Sequence, residues 1–275
     1  MRRLRRPFSS DPTSGVASVS VRRHRRLWPS RVAAAGLALA AWLADPAIGR
    51  AASPSPSQLQ ALEAVLNGQD SGALRALLAE GPGLDVALLQ RRWSALRQAF
   101  PDARWQLSAG SPTASGRPTV NLRVSGTRRE GSALFRLSAD QWLELSSNGE
   151  RISGQTLLRE QTILRSGESN LPVSVLIPDA VLTGQRYDVD VIFDEPLDGA
   201  LVVGGIQSLT PQQLASLESP AMDVVPLGGG GVFRTVRAPF TPGSQTWAVL
   251  LVHPRGVVST TKRVRVVSDR AQLTP

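Results

Sequence analysis

At Pro101 the hydrophobic repeat changes from one residue in three or four to one in two, and that switch bounds the folds open to the chain. Before it, three apolar stripes have helical spacing: Leu59, Leu62, Val65 and Leu66, then Leu74, Leu77 and Leu78, then Leu89, Trp93, Leu96 and Phe100. Ser57 with Gln60 three residues on has capping-box spacing, and Gly68 ends this first helix. Asp70 or Ser71 opens the second, Gly81-Pro82-Gly83 stops it, and the third runs from about Asp85 to Phe100. After Pro101, Arg104–Leu107, Val120–Val124, Ala133–Leu137, Trp142–Leu145 and Ile152–Leu164 alternate as half-buried strands. Asn148-Gly149 is a tight-turn signal, because both residue types tolerate positive φ. Helices followed by an antiparallel sheet give an α+β layout for residues 57–168.

From Leu171 the helical period is gone. Strand-like runs recur at Val173–Ile177, Tyr187–Phe193, Ala200–Val203, Met222–Val225, Val232–Ala238, Thr246–His253 and Val257–Val267, with Thr210–Leu217 as a helical turn in a crossover loop. Many short strands punctuated by Gly and Pro over residues 171–269 are the pattern of an immunoglobulin-like β-sandwich, with Trp247 in its core.

The chain's net charge of +9 is misleading as a guide to partners. Residues 1–51 hold ten of the 31 Lys and Arg residues and two of the 22 acids, leaving 21 basic and 20 acidic residues beyond them. A general nucleic-acid surface loses its main support, and no nucleic-acid partner is expected. The basic segment Arg22–Arg31 precedes Val32–Ala44, an apolar run of thirteen residues, too short for a membrane span of about twenty. Small residues follow at Ala47, Gly49 and Ala51, so residues 1–51 read as a signal peptide with a basic n-region, and 52–56 as a linker. Arg25-Arg26 permits a twin-arginine route. The expected location is the periplasm or an equivalent extracytoplasmic lumen, with no stable membrane span in the mature chain. Cysteine is absent, which excludes disulfides, zinc–thiolate sites and a thiol nucleophile.

Leu62–Glu80, the Phe100-Pro101-Asp102 turn into the strand bearing Trp105, and Val124–Arg129 resemble the nuclear transport factor 2-like superfamily, nearest its SnoaL-like branch. Asn148–Ile152 matches that family's late hairpin. The resemblance implies a cone over residues 57–168, three helices over a curved antiparallel sheet that leave a pocket. It also implies acid–base chemistry by Asp, His and Tyr, but residues 57–168 hold no His and no Tyr.

Any catalysis in that domain would therefore run through Glu144, with Glu160 behind it. Candidate pocket residues are Trp93, Trp105, Arg123, Arg136, Trp142, Glu144 and Gln161, Glu144 sharing a strand face with Trp142. In the second half, Gly228–Gly231 reads as a hairpin loop, His253 as a surface histidine, and Asp188, Asp190 and Asp194 as acids on a solvent face. No metal and no cofactor is expected. The expected function is that of an exported, non-catalytic binding or scaffold protein, holding a small apolar ligand in its first domain and contacting a protein partner through its second. The alternatives are an isomerase, cyclase or dehydratase of the SnoaL or ketosteroid-isomerase kind, and a cell-envelope adhesion or assembly module.

Overall fold

The computed structural model describes residues 52–167, 171–216 and 221–274, so the expected signal peptide lies outside the described residues. Three short helices come first: α1 (Pro56–Asn67), α2 (Ser71–Leu77) and α3 (Val86–Ala99). α1 begins before the expected Ser57. Ser55 is its N-cap, exchanging hydrogen bonds with Gln58 as a capping box, and Pro56 fills the first turn, where a missing N–H costs nothing. Asp70 and Asp85 cap α2 and α3 by accepting from the Gly72 and Leu88 amides.

Four long strands follow as an antiparallel meander: β1 (Arg104–Gly110), β2 (Thr119–Glu130), β3 (Ala133–Ser147) and β4 (Ile152–Gly167). β3 absorbs two runs that the sequence shows separately. In the turn after it only Gly149 has positive φ; Asn148 instead uses its side-chain oxygen to accept from the Glu150 and Arg151 amides. The remaining strands are β5 (Val173–Leu176), β6 (Ala180–Leu182), β7 (Arg186–Phe193), β8 (Val203–Leu209), β9 (Val225–Pro226), β10 (Gly231–Arg237), β11 (Gly243–His253) and β12 (Gly256–Val267), with α4 (Pro211–Ser216) after β8. β8 starts where the expected Ala200–Val203 strand should end, and β6 is too short to show a period.

The expected cone does not form. The chain is mostly β, and the meander does not curl into a closed cup: β4 hands its free edge to β12, pairing from Gly256↔Gly167 to Arg263↔Glu160. One sheet then runs β1-β2-β3-β4-β12-β11-β8-β9, with β6 parallel to β12. At the end of the β4–β12 ladder Gly167 has φ 115°, and a Cβ there would overlap the Arg255 carbonyl. Helices α1–α3 cap one face of β1–β4, and the space beneath them is filled by Leu74, Trp93, Phe100, Trp105, Val124 and other apolar side chains rather than left as a pocket. A second layer, β10-β7-β5, packs on the opposite face of β11 and β12 through Val189, Val191, Val249, Leu251, Val258 and Val264. The second half is thus two-layered, but one of its layers is continuous with the first half's sheet. Among the described residues no helix is long and apolar enough to cross a membrane.

Candidate functional site

Strand pairing assigns each side chain to a face, because alternate residues point to opposite sides. The row Trp105↔Val124↔Ala139↔Thr162 faces the helices. The neighbouring rows Gln106↔Arg123↔Asp140↔Gln161 and Ser108↔Asn121↔Trp142↔Arg159 face the other way. In the second half this other face is covered by the β10-β7-β5 layer. On β4 the second core covers part of it, where Ile163 packs and Arg165 donates to the Leu171 carbonyl. Arg117 of the β1–β2 loop reaches over it to Glu144. The rest of the face, over β1–β3, is covered by no described helix or strand and carries arginines, amides and hydroxyls around one tryptophan.

Trp142 is fixed from three sides. Its Nε1–H donates to Thr119 Oγ1 at 2.6 Å, the Arg159 guanidinium lies 5.9 Å from its ring centroid, and Gly110 leaves room for the indole where a Cβ would stand 2.8 Å from Nε1. The charges around it are paired across strands. Arg123 Nε is 3.0 Å from Asp140 Oδ1, and Arg117 Nη1 is 2.7 Å from Glu144 Oε1. Asp179 takes Arg159 at 2.9 Å and also the buried Lys262, tying this face to the loop between β5 and β6. Arg136 donates to the Gly167 carbonyl at 3.3 Å.

The residues expected to share a pocket are therefore divided by the sheet. Arg123, Arg136, Trp142, Glu144 and Gln161 lie together on the open face, Glu144 beside Trp142 as its spacing predicts. Trp93 and Trp105 are 4% and 1% exposed beneath the helices, where Arg97 stacks on both rings and Trp93 donates to the Leu66 carbonyl. Glu160 faces the helix side too. It accepts from Gln141 Nε2 at 2.7 Å and sits opposite Arg263 in the β4–β12 ladder, with Arg92 from α3 close by. Burial pushes the Arg92 and Arg263 guanidinium groups below the ordinary arginine range, and the Glu160 charge partly restores both. Arg92 also donates to the Leu214 carbonyl of α4, so this charged group pins helices from both halves over the seam.

Sequence reasoning missed Arg92 and Arg263. Lys262-Arg263-Val264-Arg265 looks like an exposed edge until both faces of β12 are seen to be covered. His253 is buried as well, against expectation: its ring meets Phe193 edge-on at 5.7 Å and Nδ1 accepts from the Arg255 amide. Asp188 and Asp190 are engaged with β10, accepting from Thr235 Oγ1 and the Arg234 amide. The glycine run after β9 borders a shallow groove of about 480 Å³ with Gly204, Gly205, Val225 and Phe233.

Residues 168–267, from before β5 to the end of β12, match the family described as a domain of unknown function, DUF8623. No curated protein matches the chain.

Proposed function

We propose that this is an exported, non-catalytic binding protein whose contact surface is the open part of the β1–β4 face. One observation carries the reading. The meander has one face closed by α1–α3 and the other left open across β1–β3, with Trp142 locked in place on it by Thr119, Arg159 and the bare backbone of Gly110. Side chains held rigid before a partner arrives lose little conformational freedom on binding. The isomerase alternative has less support. Glu144, its side chain only 17% exposed, has one oxygen committed to Arg117 and the other buried without a hydrogen-bond partner among the described residues, so no donor stands beside a reacting oxygen there. Glu160 is bound to Gln141 under the helices, away from Trp142. Export rests on the residues of the leader.

The test is retention of the purified protein on an insoluble cell-envelope fraction. Trp142→Ala and Arg123→Gln are expected to weaken retention by about tenfold, as removal of central contact residues does. Arg91→Gln, on the exposed side of α3, is expected to leave it unchanged. Equal retention of all three variants would contradict the reading.

A protein partner for the second half has its own observation: Val225 and Phe233 are 58% and 57% exposed beside the groove between β9 and β10.

A further inference from the structure

The open face also specifies a ligand chemistry, an inference that rests on the reading of that face as the contact surface. Arg104, Arg123, Arg129, Arg136 and Arg159 project from its strands, and all five are exposed, Arg123 at 67% and Arg159 at 51% of the side chain. The carboxylates there are Asp140, Glu144 and Asp179, each held by an arginine at 2.7–3.0 Å, and Asp102, which accepts from Thr127 beside Arg104. Among the described residues, Arg104, Arg129 and Arg136 make no ion pair, so the face carries a local excess of positive charge. That excess is local, because the chain beyond residue 51 is balanced at 21 basic and 20 acidic residues. Every exposed cation is a guanidinium, whose planar fork matches a carboxylate with two parallel hydrogen bonds. Between them stand Asn121, Ser125, Ser138 and Gln161, neutral groups suited to hydroxyls, and the partly exposed Trp142 ring. Guanidinium for carboxylate, amide and hydroxyl for hydroxyl, and an indole for an apolar ring face together match one kind of polymer. We propose that the open face binds a carboxylated polysaccharide.

The experiment is calorimetric titration of the purified protein with an oligogalacturonate of about ten sugars, its methyl ester, and single-stranded DNA of equal charge. The acid form is expected to bind, the methyl ester to show no binding, and DNA to bind at least about tenfold more weakly. Arg123→Gln/Arg136→Gln is expected to cost at least about tenfold in affinity, and Arg91→Gln nothing. Arg129→Gln, which removes a side chain making no ion pair, serves as the milder variant and is expected to weaken binding by about threefold. Absence of binding to the acid form, equal binding of the methyl ester, tighter binding of DNA, or insensitivity to the face variants would each overturn the proposal. If the acid form fails while envelope retention still depends on Trp142, the ligand class is wrong and the contact surface stands. If retention is also independent of Trp142, both fall.

Discussion

Glu160 and Arg263 face each other across the β4–β12 ladder, 9% and 8% exposed, at the one place where the first half's sheet becomes the second half's. Removing the carboxylate leaves the buried guanidinium groups of Arg263 and Arg92 without the charge that partly restores them. Glu160→Ala is expected to lower unfolding free energy by about 3 kcal/mol in urea denaturation, the usual cost of stripping one partner from a buried ionic group. Glu160→Gln should lose less, because it still meets Gln141. A loss below about 0.5 kcal/mol for the alanine variant would show that the seam does not depend on this charge.

The chain holds one tyrosine, Tyr187, and its hydroxyl is buried between Gln245 Oε1 at 2.7 Å and Trp247 Nε1 at 2.8 Å. Burial pushes its phenol above the ordinary tyrosine range, and donation from Trp247 offsets this only in part. A phenol whose pKa is raised by folding leaves stability untouched while both states are neutral. Above the unfolded pKa of about 10, the unfolded chain releases a proton that the folded chain keeps, so stability falls as pH rises. Ultraviolet titration of the folded protein should show phenolate formation delayed beyond that of free tyrosine. An ordinary titration curve in the folded state would contradict the buried network.

Gly110 lacks a side chain where Trp142 needs the space. Gly110→Ala would push the indole off Thr119, at a cost of about 1 kcal/mol for the lost hydrogen bond. Retention on envelope material should fall with it. Thermal denaturation together with the retention assay checks both effects, and unchanged retention would show that the indole's position is irrelevant.

β4 and β12 pair over eight residues. A protease cut between Gly167 and Leu171 is therefore expected to leave two fragments that elute together on gel filtration, held by the ladder and by the Arg159–Asp179–Lys262 contacts. Fragments that separate without denaturant would show that the shared sheet contributes little to holding the halves together.

Much of the local structure is legible from period and punctuation. The α3 stripe, the caps at Asp70 and Asp85, and the alternation that puts Trp142 and Glu144 on one face are all found where the residues indicate. Three features were not legible. The destination of the β4 edge depends on β12, roughly a hundred residues on, so helices followed by strands fit a closed cone and an open shared sheet equally well. The side taken by Glu160 depends on a bulge, where Trp142/Leu143 oppose Arg159/Leu157 and the two-residue count slips by one. The burial of Arg263 and His253 depends on which neighbours cover β12 and β11, and no local pattern encodes that.

Trp142 and the arginines beside it are the residues expected to meet the partner. Oxidative footprinting of the protein, free and bound to envelope material, measures this at single residues. The expected result is protection of Trp142, with Phe233 and the exposed side of α3 oxidised equally in both states. Protection confined to Phe233 and Val225, with Trp142 unchanged, would move the contact surface to the other half and contradict the account.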